Sequence, residues 1–385
     1  MIAERKNKII PECMQKLLDD AVAAGDVAGV AAAVTDGHGT RFEGAAGVQA
    51  LGGEAKISER TLFWIASMSK PVTSLAAMQL VEAGKLSLDA PVGEVLPALA
   101  APMILEGGKL RPAERKITLR HLLTHTAGFA YGFTNAEYAA YIAENSLPTG
   151  PGRRASLDLP LLFEPGERWE YGISTDWLGL VVEAASGETL EAYLNKRVFA
   201  PLGMEDTVFL PSDAQRERLA TMHQRQPDGA LLADPPQPPR IPEFFSGGGG
   251  LYSTLSDYQK FLRVFLAGGA GILSAQGIAE MSRHQIGALR PGAIPAATPG
   301  LIANGDMNPG KPSEWGLGFL IFPQKGPFGR NPGSFGWAGM ANTYFWVDPV
   351  AELAALIMMQ VRPLGDIRAT KTYTRFERAV YALTS

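Results

Sequence analysis

The sequence predicts an α+β fold in which strands from both ends of the chain form one antiparallel sheet, with a mostly helical insert beside it. Three observations predict it. Two strand-like runs, 29–34 and 41–47, flank an Asp-Gly turn near the N-terminus. A long stretch of helical pieces and loops follows, and the C-terminal part then returns to β character. Early and late strands of this kind most simply pair with each other in one sheet.

The elements follow in order from apolar spacing and turn residues. A helix over 12–25 ends at Gly25, and a stronger helix over 67–83 is stopped by Gly84. Further helices are expected at 118–125, 174–187, 189–198 and 254–267, the last capped by Thr254 or Ser256, with a final helix over about 367–382. A Pro/Gly-rich loop is expected at 147–152, a loop or extended segment at 227–242, and a further Pro/Gly-rich stretch at 291–312. C-terminal strands are expected at 315–322, 341–348 and 352–360.

This layout predicts two interlocked units. The sheet domain would be discontinuous, over 1–90 and 246–385, and the mostly helical lobe would be inserted over 91–245. With 385 residues, 46% hydrophobic and 19% charged, the chain suits one large domain or two interlocked ones and is not disordered.

Composition also excludes several classes of function. A net charge of −4 without a basic stripe argues against nucleic acid as a partner. One cysteine, together with five histidines that form no HExxH pair, predicts neither a metal nor another cofactor. Charges run through the first eight residues and no apolar leader or membrane-length stretch follows, so we expect a cytoplasmic protein without a membrane partner. The sequence carries no signal for the oligomeric state.

The helix over 67–83 opens with a candidate nucleophile. Ser67 and Lys70 stand three positions apart, which puts both side chains on one helical face. A lysine can accept or relay the proton of a neighbouring serine hydroxyl, and the N-terminus of a helix favours developing negative charge. The competing interpretation is an N-cap serine followed by a solvated lysine. A cation near a helix N-terminus is electrostatically unfavourable, which argues for a functional role.

Two further segments strengthen the functional interpretation: 163–173 (FEPGERWEYGI) and 333–340 (GSFGWAGM). Together with Ser67-Met68-Ser69-Lys70 they resemble the three motifs of the serine β-lactamase and penicillin-binding superfamily. The closest resemblance is to the family VIII carboxylesterases, which are similar to class C β-lactamases. Three supporting stretches resemble that family as well: 119–128 (LRHLLTHTAG), 201–204 (PLGM) and 246–251 (SGGGGL).

The resemblance implies roles for individual residues. Ser67 matches the acylated nucleophile, Lys70 the lysine that activates it, and Tyr171 the first residue of a Tyr-x-Asn motif whose phenolate is the general base. The backbone N–H groups of Ser67 and Met340 would form the oxyanion hole, and Gly339 would allow close approach to the substrate. The implied fold is a β-lactamase-like antiparallel sheet flanked by helices, with a mostly helical second lobe.

Two departures from the β-lactamase motifs bear on substrate choice. Ile173 replaces the asparagine of Tyr-x-Asn and cannot hydrogen-bond an acylamino side chain. Trp337 replaces a lysine that would pair with a β-lactam or peptide carboxylate. Both changes favour neutral short-chain or aryl esters. Tyr131, Phe133 and Trp337 either belong to the core or line the pocket for the acyl group.

Other motifs favour structural interpretations. Tyr193-Leu194-Asn195 is a literal Tyr-x-Asn inside a predicted helix, where a packed tyrosine is expected. His121 and His125 are expected on one helix face, with roles in hydrogen bonding. The run Gly247–Gly250 lacks the Lys-Ser/Thr of a phosphate loop and indicates a tight loop near the site.

The leading hypothesis is a serine carboxylesterase acting on a small-molecule ester. A β-lactamase, a D-Ala-D-Ala peptidase and an acyltransferase are the enzymatic alternatives on the same site. A non-catalytic binding module of the same fold is the alternative from another class, and the presence of Ser67, Lys70 and Tyr171 argues against it.

Overall fold

The computed structural model describes residues 2–148, 150, 152–235, 241–298 and 300–382. The helices are α1 (Ile2–Ala23), α2 (Ser69–Glu82), α3 (Leu119–Leu123), α4 (Ala136–Glu144), α5 (Ser174–Ser186), α6 (Leu190–Leu194), α7 (Ala200–Leu202), α8 (Asp213–Arg216), α9 (Leu255–Leu266), α10 (Ala275–Ser282) and α11 (Ile367–Ala382). The strands are β1 (Gly29–Asp36), β2 (Thr40–Gly47), β3 (Phe63–Trp64), β4 (Met103–Glu106), β5 (Lys109–Pro112), β6 (His223–Arg225), β7 (Leu231–Ala233), β8 (Tyr252–Ser253), β9 (Glu314–Trp315), β10 (Leu320–Phe322), β11 (Ser334–Gly339), β12 (Thr343–Asp348), β13 (Leu353–Met358) and β14 (Val361–Arg362).

The main sheet has seven strands in the order β2-β1-β13-β12-β11-β10-β9. Every neighbouring pair is antiparallel, and β1 lies beside β13 with Ala31 opposite Met358. The N-terminal hairpin and the C-terminal strands therefore form one antiparallel sheet, which confirms the predicted α+β class. Short secondary sheets join β14-β6-β7, β3-β8 and β4-β5.

Helices cover both faces of this sheet. Side chains of neighbouring strand residues point to opposite faces, and on β12 the ring of Phe345 packs against Tyr258 of α9. The next residue, Trp346, packs against Phe376 of α11. The central strands β12 and β13 are buried along their whole length, which is typical of strands covered on both faces.

The structure corrects the predicted strand over 315–322. Two short antiparallel strands, β9 and β10, stand there instead. Gly318, at φ +98°, reverses the chain between them, and a Cβ at this position would lie 2.5 Å from Ser74 Oγ. The strand β11 was not predicted, because its sequence SFGWAG contains two glycines, which are depleted in strands.

The predicted helices are observed with shifted ends. The first begins at Ile2 instead of 12, with Pro11 inside it, where charged residues had hidden the apolar spacing. Gly187 ends α5 in the left-handed conformation, at φ +76°, and Thr254 caps α9 by accepting a hydrogen bond from the Asp257 backbone N–H at 3.2 Å. The helix predicted over 189–198 is α6 followed by a π-helical turn, Asn195–Phe199. Tyr193 is buried in it, as expected.

The helices α3 to α8 lie within the segment predicted to form the inserted lobe, and the division into two units stays a prediction. Over the described ranges, no helix combines the length and apolarity that crossing a bilayer requires.

Candidate active site

Ser67 lies in a tight turn immediately before α2. The turn is a single 3-10 segment, Ala66–Met68, and its first residue, Ala66, adopts a left-handed φ of 45°. Backbone strain of this kind in a non-glycine residue is concentrated at functional sites. The Ser69 hydroxyl holds the turn by donating to the Ala66 carbonyl at 2.7 Å. Ser67 itself is half-buried, so its hydroxyl is accessible at the N-terminus of a helix.

Lys70 is buried beside that hydroxyl, with 1% of its surface exposed. Its Nζ donates to Ser67 Oγ at 3.2 Å, to Tyr131 Oη at 3.0 Å and to the Gly248 carbonyl at 2.7 Å. These three bonds use all the donors of an ammonium group. The alternative of a solvated first-turn lysine is therefore wrong.

Two tyrosines enclose the lysine. Its Nζ lies 4.7 Å from the ring centroid of Tyr171 and 5.2 Å from that of Tyr131, within the range of a cation–π contact. Tyr171 precedes α5, and its Oη accepts a hydrogen bond from Trp337 Nε1 at 3.3 Å. Tyr131 was predicted only as a pocket residue, but the structure places its hydroxyl directly on Lys70. No local motif signals this contact, because Tyr131 lies in the loop after α3.

Burial controls the protonation of the groups around Lys70. It raises the pKa of the Tyr131 hydroxyl well above its usual value, and the charges of Asp176 and Tyr171 act in the same direction. Burial, with the Lys70 charge, lowers the pKa of His125 well below its usual value. At neutral pH these residues are therefore an uncharged phenol and an uncharged imidazole.

His125 also corrects a sequence expectation. The helix α3 ends at Leu123, and His125 follows it with a left-handed φ of 57°, so it does not share a helix face with His121. Its ring lies 4.9 Å from the ring of Tyr171, and its Nδ1 is 3.4 Å from the Gly172 backbone N–H. His125 therefore packs behind the site and supports the Tyr171 segment.

The strand β11 brings the third predicted motif to the same place. Trp337 is buried and lies opposite Phe345 in the sheet. A Cβ at Gly339 would lie 2.4 Å from the Ile65 carbonyl, so only glycine lets β11 end against the turn that carries Ser67. Met340 follows directly at this end of the strand.

The other predicted pocket residues are less closely grouped. Phe133 stacks on Tyr131 with 4.7 Å between ring centroids. Ile173 is buried at the start of α5. A cavity of about 210 Å³ lies beside Trp337, and among the residues that line it are Trp169, Ile294, Met307, Leu320 and Lys311. Part of this lining comes from the Pro/Gly-rich stretch over 291–312.

Comparisons with known proteins identify a family and several relatives of similar length. The family model described as Beta-lactamase matches residues 14–379. Monacolin J acid methylbutanoyltransferase of Aspergillus terreus is 33% identical over 338 residues, covering 83% of this chain and 81% of that protein. Lovastatin esterase of Penicillium rubens is 30% identical over 392 residues, covering 96% of this chain and 98% of that protein. The solved structure of a simvastatin synthase mutant from Aspergillus terreus is similar with a TM-score of 0.84 and 29% identity, covering 98% of each chain.

Proposed function

The chain belongs to the beta-lactamase family, in which serine hydrolases and acyltransferases share one fold, and from that premise we propose that it is a serine carboxylesterase. Its substrates would be short-chain or aryl carboxylic esters, cleaved through an acyl-enzyme on Ser67. The observation that carries the proposal is the buried Lys70 ammonium, which donates to Ser67 Oγ and lies against the ring of Tyr171. The expected cytoplasmic location, without nucleic-acid or membrane partners, is part of the same proposal.

The mechanism uses Tyr171 as general base. Tyr171 lies against the Lys70 ammonium, and its phenolic oxygen takes the proton as Ser67 Oγ attacks the ester carbonyl carbon. The tetrahedral intermediate then collapses, the carbon–oxygen bond to the alcohol breaks, and the proton passes to the departing alkoxide. Tyr171 next takes a proton from water, whose oxygen attacks the acyl carbon. The bond between this carbon and Ser67 Oγ then breaks, Oγ takes the proton back from Tyr171, and the acid is released.

The developing oxyanion needs donors that are already in place. We assign this role to the backbone N–H groups of Ser67 and Met340, at the start of α2 and the end of β11. The close approach of Gly339 to Ile65 supports the assignment, because it brings the two segments together. Two preorganised backbone donors of this kind lower an acyl-transfer barrier by several kcal/mol.

The site favours neutral esters over β-lactams. Trp337 donates its indole N–H to Tyr171 Oη and supplies no cation for a substrate carboxylate. Ile173 is apolar and buried, so it offers no hydrogen bond to an acylamino group. Phe133, Trp169 and Ile294 offer aromatic and aliphatic contacts for an apolar acyl or aryl group, and Lys311 is a charged residue in the lining of the cavity beside Trp337.

Acyl transfer to an alcohol is the second candidate. It is favoured by the 33% identity to a methylbutanoyltransferase over most of both chains. The acyl-enzyme would be the same, with an acceptor alcohol taking the place of water in the second half of the reaction.

One substrate panel separates these functions. We expect the wild-type protein to hydrolyse p-nitrophenyl butyrate faster than a chromogenic cephalosporin. Faster turnover of the cephalosporin would contradict the esterase and favour a β-lactamase. Repeating the ester assay with added alcohols and measuring the new ester would identify an acyltransferase, if transfer exceeds hydrolysis. A fluorophosphonate should label one serine per chain, and failure to label would favour a binding module.

The two tyrosines are expected to differ in importance. Tyr171→Phe removes the proposed base and should lower kcat for p-nitrophenyl butyrate by about 10³-fold. Tyr131→Phe removes one hydrogen bond to Lys70 and keeps the ring, so about a tenfold loss is expected. The measurement is kcat of both variants, after circular dichroism has shown that each variant is folded like the wild type. A larger loss for Tyr131→Phe than for Tyr171→Phe would exchange the two roles.

A further inference from the structure

The segment 246–251, called the glycine loop below, forms hydrogen bonds with residues of both α2 and α5 beside the candidate site. Hydrogen bonds from the α2 side hold it at three points: Thr73 Oγ1 donates to the Gly247 carbonyl at 2.9 Å, Trp64 Nε1 donates to the Gly249 carbonyl at 2.8 Å, and Ser69 Oγ accepts from the Leu251 N–H at 3.1 Å. In the same loop, the Gly248 carbonyl accepts a hydrogen bond from Lys70 Nζ. The loop therefore sets the position of the lysine.

Asp176 holds the loop from the α5 side. Its carboxylate is buried, with 6% of the residue exposed, and Oδ1 accepts from Ser246 Oγ at 2.6 Å and from the Gly248 N–H at 3.0 Å. Both backbone groups of Gly248 are thus engaged, the N–H with Asp176 and the carbonyl with Lys70. A Cβ at position 248 would lie 2.7 Å from Asp176 Oδ2, so glycine is required for this approach.

The carboxylate also acts through its charge. Burial raises the pKa of Asp176, while the Lys70 ammonium and the two hydrogen bonds lower it. The titratable groups that face Lys70 are Tyr131 from the loop after α3, Tyr171 at the start of α5, His125 after α3, and Asp176 itself. Among these four, Asp176 supplies the only carboxylate, and this carboxylate helps to balance the lysine charge.

We infer that Asp176 is a positioning residue of the catalytic centre: through the backbone of Gly248 it holds the Lys70 ammonium at Ser67, and its negative charge stabilises that ammonium. The inference rests on the proposed function, because it assigns a part in activating Ser67. Asp176 touches neither the nucleophile nor the expected substrate and acts only through the loop.

The test is the pH dependence of Ser67 labelling by a fluorophosphonate in Asp176→Asn. Asparagine keeps an oxygen for the Gly248 N–H and removes the charge. Removing this negative charge makes loss of a proton from the active site easier, because one fewer anion stabilises the protonated form of the site. The midpoint of the acidic limb should therefore fall by about one pH unit.

Asp348→Asn is the matched control. Asp348 is also a buried acid, and it accepts a hydrogen bond from the Asn331 backbone N–H at 3.0 Å. It differs from Asp176 in its position, which is the last residue of strand β12 in the main sheet. This variant should lose thermal stability and keep the wild-type midpoint. A shift of the same size in both variants would show a general effect of losing a buried charge and would overturn the inference.

Other outcomes are equally decisive. A wild-type midpoint in folded Asp176→Asn would overturn the inference while the proposed function stands. Failure of the wild-type protein to be labelled at Ser67 would overturn both. If Asp176→Asn does not fold, Ser246→Ala replaces it, since it removes one bond that orients the carboxylate and keeps the charge. Labelling should then slow about threefold, and an unchanged rate would contradict a positioning role.

Discussion

Replacing Ser67 with alanine is expected to lower kcat/KM for p-nitrophenyl butyrate by about 10⁴-fold or more. The hydroxyl is the atom that we expect to form the acyl-enzyme, and no other group replaces it in the strained turn before α2. Alanine fits the half-buried position without new contacts, so the thermal unfolding midpoint should stay close to that of the wild type. The measurement is ester turnover by the two purified proteins under identical conditions.

The matched control for this experiment is Ser74→Ala. Ser74 lies on the same helix, is almost completely buried and takes no part in the proposed chemistry. It should retain most of the activity, which separates loss of the nucleophile from loss of a serine in α2. Ester turnover that survives in Ser67→Ala would place the reaction at another residue and contradict the proposed site.

Replacing Lys70 with methionine is expected to lower kcat by about 10³-fold. Methionine has a similar length and volume, so the core should remain packed, but it cannot donate to Ser67, Tyr131 or the Gly248 carbonyl. Without the ammonium, Ser67 Oγ loses its hydrogen-bond donor and Tyr171 loses the cation that lies against its ring, so the proton transfer from the serine is no longer supported. The readout is the single-turnover rate of acylation, measured by release of p-nitrophenol.

Lys70→Arg tests whether charge alone suffices. A guanidinium keeps the positive charge but is planar, larger and does not release a proton in proteins. We expect a loss of about 10²-fold or more in this variant too. Near wild-type acylation in Lys70→Arg would show that a positive charge at this position is sufficient and that the hydrogen-bond geometry of the lysine is not required.

The fold was predictable because its main signals are local. The Asp-Gly turn after β1, the glycines after α2 and α5, and the Thr254 cap of α9 each mark a boundary where the structure has one. The strand β11 escaped prediction because tertiary packing overrides its glycines: Gly339 is needed for close approach to Ile65. The hairpin at Gly318 was missed for a similar reason, since glycine is needed there because a Cβ would collide with Ser74 of another element.

Part of the candidate site was predictable from the sequence, and part of it was not. Spacing brought Ser67 and Lys70 together, and a family resemblance added Tyr171, whose ring the structure places against the lysine. Asp176 and the Tyr131 hydroxyl contact were not predicted. Both depend on how the loops after α3 and before β8 pack across α2, and no short-range pattern in the sequence encodes that arrangement.

The position of β1 between β2 and β13 has a consequence for biosynthesis. During translation the β1-β2 hairpin leaves the ribosome well before its partner strand β13, in which Met358 lies opposite Ala31. Until then β1 keeps an open edge, a template for wrong pairing. Contacts between such distant segments form slowly, whereas the helical pieces between them need only local contacts. The sheet is therefore expected to be completed only after β13 has been made and can pair with β1.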